Sequence, residues 1–165
     1  MTRKFVEDAY SGESQAHVKY LIFADMAEKD GFTNIAKLYR AIAYAEFVHA
    51  RNHFKALGNV NTTEDNLQAA IDGETFEVEE MYPVYKHAAT LQEEKEAEKS
   101  TNYALEAEKV HAEMYKQAQG LVKNGKDMKL DRVYVCPVCG YTALEEVDPC
   151  CPVCGTPREK FRVFT

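Results

Sequence analysis

The sequence predicts a mainly α chain: a four-helix bundle of long helices, followed by a small β domain built round a metal-binding knuckle. Three observations carry that expectation. From Thr2 to about Gly125 the chain is rich in Ala, Glu, Lys and Leu, with breaks at Asp30-Gly31, Gly58-Asn59, Gly73 and Glu93 to Glu96. A carboxylate–histidine segment occurs twice, as Glu46-Phe47-Val48-His49-Ala50 and as Glu108-Lys109-Val110-His111-Ala112, which suggests a duplicated helical hairpin. All five cysteines lie after residue 135, four of them in two C-x-x-C pairs.

The breaks predict helices over about 3–29, 32–58, 74–91 and 95–124. A short first connection makes the first pair antiparallel. The longer piece 59–73, with a Thr62/Thr63 cap and room for helical turns of its own, suits a bundle with one crossover connection. Residues 1–130 are expected to form this bundle and 131–165 a second domain. There Val133-Tyr134-Val135 reads as a strand, two Cys-Pro-Val-Cys-Gly turns follow, and Phe161 to Phe164 is a second apolar run. So few residues bury too little apolar surface to fold unaided, so a bound metal must supply much of the folding energy.

Composition narrows the class. With 45% hydrophobic and 28% charged residues in 165, the chain has the make-up of a water-soluble globular protein. A formal charge of −7 without a long Lys/Arg run argues against nucleic acid as a partner. No apolar stretch approaches a membrane span, and the N-terminus has a basic start that turns acidic at once, unlike a signal peptide. Cysteines clustered in C-x-x-C pairs read as metal ligands in a reducing compartment. The expected location is therefore the cytoplasm.

Read at helical spacing, the second helix carries an apolar stripe, Ile35, Leu38, Ile42, which Glu46 and His49 continue. The fourth runs through Thr101 and Leu105 to Glu108, His111 and Tyr115; the first through Phe5, Ala9, Glu13, Ala16 and Tyr20; the third through Glu77, Glu80, Val84 and Ala88. Each helix thus points carboxylate into the expected core. Ionised carboxylates buried together cost several kcal/mol each, about, unless cations sit among them. Di-metal helical bundles meet this need with one Glu from each of two helices and Glu-x-x-His from each of the other two. Here Glu13 and Glu77 fill the single positions, and Glu46/His49 and Glu108/His111 the paired ones. Chance would place Glu three residues before about 0.6 of the five histidines; two have it. His17, His53 and His87 lack it and read as packing or surface residues.

The knuckle pairs Cys136/Cys139 and Cys151/Cys154 form a four-sulfur site that suits iron or zinc alike. Cys151 rather than Cys150 heads the repeated C-P-V-C-G and is taken as the ligand. The aromatic frame of Tyr134, Tyr141 and Phe161 resembles that of rubredoxin.

Taken together, Gly12-Glu13-Ser14-Gln15-Ala16, Glu46-x-x-His49, Glu77-x-x-Glu80-Met81-Tyr82-Pro83, Glu108-x-x-His111 and the terminal cysteines make the chain resemble the rubrerythrin family over essentially its whole length. The resemblance implies a ferritin-like four-helix bundle holding two iron ions, joined to a rubredoxin-like domain with one iron, zinc being possible in its place. It further implies that Glu46 and Glu108 bridge the two ions, that Glu13 and Glu80 serve one and Glu77 and His111 the other, and that Glu80 and His49 exchange as ligands with redox state. Pro83 is expected to kink its helix.

The activity so implied is reduction of hydrogen peroxide to water in oxidative stress defence. Rubredoxin or an NAD(P)H:rubredoxin oxidoreductase would be the electron donor. Ferroxidase with iron storage, and a non-enzymatic electron carrier, are the rival readings. His111 precedes the second domain by about 20 residues, which at about 1.5 Å each would hold the two centres of one chain roughly 25–30 Å apart. That separation predicts a homodimer, head-to-tail or with exchanged helices, in which each knuckle serves its partner's ions.

Overall fold

The computed structural model describes residues 1–165 and divides them into two compact units, Met1–Asn61 and Thr62–Thr165. No helix is long and apolar enough to cross a membrane.

The first unit is a hairpin of α1 (Thr2–Lys29) and α2 (Thr33–Ala56). Its buried residues are almost all alanine: Ala24 and Ala27 from α1, and Ala36, Ala43, Ala50 and then Leu57 at seven-residue intervals along and just beyond α2. Small side chains at a heptad spacing let two helix backbones approach closely along one seam. His17 reinforces the seam by donating from Nδ1 to the Ala43 carbonyl, 2.7 Å away. This is the packing role expected of it. The stripe that leads to Glu46 is not in the seam: Ile35, Leu38 and Ile42 are 48%, 54% and 39% exposed.

The second unit begins with α3 (Thr63–Phe76), which the Thr62 hydroxyl caps by accepting from the Asp65 N–H at 3.2 Å. The third long helix therefore starts eleven residues before the expected position 74, and Gly73 lies within it instead of ending α-structure. A single glycine costs a helix interior only about 1 kcal/mol, which a capped and packed helix absorbs. A π-turn over Glu77–Met81 follows, then α4 (Tyr82–Leu91) and α5 (Lys95–Val122). Pro83 explains the π-turn. It has no N–H to give the Glu79 carbonyl, and the helix relieves the defect by widening, with the Tyr82 N–H reaching back to Glu77.

β1 (Val133–Val135), β2 (Thr142–Leu144) and β3 (Arg162–Phe164) form an antiparallel sheet in the order β2-β1-β3, Val133 facing Leu144 on one side and Phe164 on the other. The sheet frames a core of Cys136, Cys139, Cys151 and Phe161, and Tyr103 of α5 packs against it. Composition places a boundary at 130/131, whereas the compact division falls at 61/62 and keeps the knuckle with α5.

The two interhelical loops are copies of one another. In the first, the N–H groups of Asp30, Gly31 and Phe32 reach the carbonyls of Met26, Glu28 and Ala27; in the second, those of Gln92, Glu93 and Glu94 reach Ala88, Thr90 and Ala89. Both turn through a left-handed residue, Gly31 at φ 84° and Glu93 at φ 58°. A side chain in that region costs roughly 1–2 kcal/mol. Replacement Glu93→Gly should therefore raise unfolding stability by about 1 kcal/mol in denaturant titration, and Gly31→Ala should lower it by a similar amount.

Candidate metal centres

Each helical unit brings together one carboxylate–histidine group. In the first unit Glu13 of α1 meets Glu46 and His49 of α2, with ligand atoms all within 4.8 Å. His49 Nδ1 lies 3.0 Å from Glu46 Oε2 and 3.9 Å from Glu13 Oε1. The i, i+3 spacing on α2 sets imidazole beside carboxylate, and the Ala-lined seam brings the α1 carboxylate up to them.

In the second unit Glu74 of α3 meets Glu108 and His111 of α5 under the same 4.8 Å limit, with His111 Nδ1 2.6 Å from Glu108 Oε2. Burial, a hydrogen bond with Glu108 and the charges of Glu108 and Glu77 push the Glu74 carboxyl up to about 7. Burial and the Glu108 charge raise Glu77 too, against the opposing pull of His111. The Tyr82 phenol is also raised, first by burial and then by Glu77, Glu108 and Glu74, and so keeps its proton. Anionic oxygens crowded enough to retain a proton near neutrality are a site that a cation would occupy in the proton's place. The carboxylate-and-imidazole donor set fits iron.

The structure places the expected residues unequally. Glu13, Glu46 and His49 come together, as do Glu108 and His111. Glu77 is half-buried and feels the charges of Glu108 and His111, but Glu74 takes the place in the group that spacing assigned to Glu77. Glu80 is exposed and outside both groups. The reason is helical phase: at 100° per residue, a position three after Glu74 returns nearly to its face, and one six after it points well away. The signal for Glu74 was in the duplication, since Gly73-Glu74-Thr75 answers Gly12-Glu13-Ser14.

The four sulfurs of Cys136, Cys139, Cys151 and Cys154 also converge, Cys136 on Cys154 at 3.5 Å and Cys139 on Cys151 at 3.4 Å. A tetrahedron with about 2.3 Å metal–sulfur bonds has edges of about 3.8 Å, so a single ion fits after slight expansion. The Gly140 and Gly155 N–H groups close the two knuckles onto the carbonyls of Cys136 and Cys151 at 3.0 and 2.9 Å. Burial pushes the Cys136 thiol up, but the backbone N–H groups of Val138 and Cys139 and the bonds to the Cys154 and Cys139 sulfurs together outweigh it and bring the group down to about 6. Burial holds Cys139 and Cys151 above the usual thiol range. One readily formed thiolate beside thiols that resist ionisation is an unfinished charge arrangement that metal binding completes. Cys150 is exposed and paired in a β-bridge with Pro157, leaving Cys151 in the cluster.

The knuckle does not stand 25–30 Å away from the histidine of its own chain. His111 Nε2 is 2.9 Å from Thr142 Oγ1, two residues past Gly140, because after α5 the chain folds back along that helix. The separation estimated from helix length assumed that the chain ran straight on.

Duplicated helical hairpins with a Glu-x-x-His on each, and a four-sulfur knuckle beside one of them, define a non-haem iron protein of the ferritin-like class. The rubrerythrin family model matches residues 4–119. Rubrerythrin-2 of Clostridium acetobutylicum is 47% identical over 99% of this chain and 97% of its own length, and nigerythrin of Nitratidesulfovibrio vulgaris is 29% identical over 99% and 86%. Among solved structures, nigerythrin in a mixed-valence state superposes with a TM-score of 0.59 at 30% identity, covering 99% of this chain and 86% of the other. Fully reduced, all-ferrous nigerythrin gives 0.59 at 29%, covering 99% and 87%. The chain belongs to the rubrerythrin family. Its carboxylate–histidine groups and its four cysteines match that family's di-iron and rubredoxin-type iron sites.

Glu74 makes a pH signature. Its carboxyl is raised in the folded protein to about 7, whereas an unfolded glutamate titrates near 4.3, so its stabilising contribution is complete below the unfolded value and is lost as pH rises through the folded one. With the carboxylate groups free of metal, melting temperature should fall between pH 4.5 and 7, and Glu74→Gln should flatten that slope.

Proposed function

We propose that this chain is a peroxide-reducing rubrerythrin that serves in oxidative stress defence, with electrons entering through its four-cysteine centre. The observation that carries the reading is the hydrogen bond from His111 to Thr142, which sets a knuckle suited to a one-electron carrier beside a carboxylate–histidine group. Iron, when bound at the carboxylates, supplies the two electrons that cleave the O–O bond, so that hydrogen peroxide, two electrons and two protons give two waters.

The protein's own part is to assemble and hold the ligands. Glu13, Glu46 and His49 would hold metal in the first group and Glu74, Glu108 and His111 in the second, and the family resemblance gives Glu46 and Glu108 the shared role between ions. Glu77, placed by the π-turn at the edge of the second group, is the carboxylate positioned to exchange with imidazole as the charge on the ions changes, a role that Glu80 in its exposed position does not support. Tyr82, protonated beside Glu77, Glu108 and Glu74, offers a hydroxyl to the reacting oxygens. Rubredoxin or an NAD(P)H-linked rubredoxin reductase is the donor class that a four-sulfur iron centre accepts electrons from.

The assembly is a homodimer with exchanged helices. The α1–α2 hairpin has a seam of alanines and an exposed stripe of Ile35, Leu38 and Ile42 running into Glu46. A second copy supplies the helices that cover such a stripe and complete the ligand set. The exposed stripe supports this arrangement; the knuckle and His111 are already close within one chain, so distance alone does not require a second copy.

Two measurements test these points. The chemically reduced protein should consume hydrogen peroxide much faster than dioxygen, and Glu74→Gln should abolish this while Glu80→Gln leaves at least half; rapid ferrous uptake into a mineral core would instead identify a ferroxidase. Sedimentation should give twice the 18.7 kDa chain mass, with Leu38→Glu shifting the protein to monomer.

A further inference from the structure

Thr142 sits at the junction of the two kinds of metal site. It is 9% exposed, opens β2, and follows the first knuckle by two residues. Its hydroxyl has one proton, for which the Gly140 carbonyl at 3.1 Å is the acceptor that cannot itself donate. A hydroxyl that gives its proton to Gly140 accepts from His111 Nε2 across the 2.9 Å contact. A neutral imidazole protonated on Nε2 is bare on Nδ1, the nitrogen that faces Glu108 Oε2 at 2.6 Å. At 2.6 Å the two atoms need a proton or a cation between them, and with the ring's own proton on Nε2 that place is open to a cation. The opposite tautomer, with Nδ1–H given to Glu108, would satisfy the carboxylate but spend the lone pair that an ion on that side requires.

The third residue of this chain of bonds, Gly140, is itself part of the knuckle: its N–H bonds the Cys136 carbonyl at 3.0 Å, and the Tyr141 carbonyl accepts from the Cys136 N–H at 2.9 Å. Gly140 has φ 81° and lies against Ala107 of α5, one turn from His111. Where the Thr142 hydroxyl stands thus depends on how the Cys136–Cys139 loop is folded, and a loop of that kind takes its form from its metal ion.

We propose that Thr142 is a positioning residue coupling the two centres: it holds His111 as the Nε2–H tautomer with Nδ1 free to ligate, so that metal uptake at Glu74, Glu108 and His111 depends on a closed, metal-filled knuckle. This rests on the reading of those three residues as metal ligands. Groups that orient a metal-bound histidine typically contribute 10–100-fold to affinity, about.

The test uses the full chain with zinc in the four-cysteine site, which cobalt does not displace, zinc being the tighter binder. Cobalt(II) is then titrated into the carboxylate–histidine groups and followed by its visible absorption. Thr142→Val keeps the shape of the side chain and should weaken cobalt binding about 10–100-fold, whereas Thr142→Ser, which retains the hydroxyl, should restore it to within about threefold of the parent. ¹⁵N spectra of the imidazole in the zinc-loaded protein should show Nε2 protonated in the parent and in the serine variant, and a loss of that preference in the valine variant. The visible spectrum of the iron-filled knuckle should be the same in all three, which separates positioning from unfolding. Unchanged cobalt affinity in Thr142→Val, or a parent His111 protonated on Nδ1, would overturn the coupling. A parent protein that binds no cobalt at carboxylate and imidazole would overturn the ligand assignment, and the coupling with it.

Discussion

Carboxylates that face one another inside a helical protein set the terms for everything else in this chain. Glu74, Glu77 and Glu108 lie close enough that one of them keeps a proton near neutrality, and Glu13 and Glu46 repeat the arrangement around His49. Apolar residues at those positions would hold the helices together at no electrostatic cost. Charges there make the fold depend on cations for its final stability, and the same dependence makes the site useful. The alanine-based seam of α1 and α2 fits this logic: it lets two helices approach closely while leaving the larger apolar side chains Ile35, Leu38 and Ile42 outside it.

The knuckle follows the same rule in different chemistry. Its sulfurs are near tetrahedral spacing as free cysteines, and the backbone N–H groups around Cys136 already stabilise negative charge. The two metal-dependent regions meet at one hydrogen bond, His111 to Thr142. A change in one is thereby felt in the other over a path of a few bonds, with no need for a moving domain.

Much of this was legible in the sequence. The repeated Glu-x-x-His, the cysteine pairs and the apolar stripe that turns acidic located Glu13, Glu46, His49, Glu108, His111 and the four sulfurs, because each follows from local periodicity or from fixed motif spacing. Glu74 was missed because Gly73 was weighed as a helix break, when the Thr62 cap and packing against α5 carry the helix straight through it. Glu80 attracted attention through its motif, but motif and helical face are different things, and a π-turn alters the phase in between. The separation of the two centres failed for another reason: helix rise measures distance only while the chain continues outwards, and nothing local announces that residues 123–132 turn it back.

The π-turn also records how the two hairpins came to differ. From Glu13 to the end of α1 is 16 residues and from Glu74 to the end of α4 is 17, while α2 and α5 each take 13 from their first residue to their Glu-x-x-His. The loops between them share one hydrogen-bond pattern. The halves are thus equal in length but for one residue, and that residue lies in the stretch where the helix widens. An ancestral hairpin copied twice would have placed identical ligands round identical ions. Three residues after the first glutamate of each hairpin the first copy has Ala16 and the second has Glu77, so the second group has an additional acid at its edge and the two groups need not hold an ion alike.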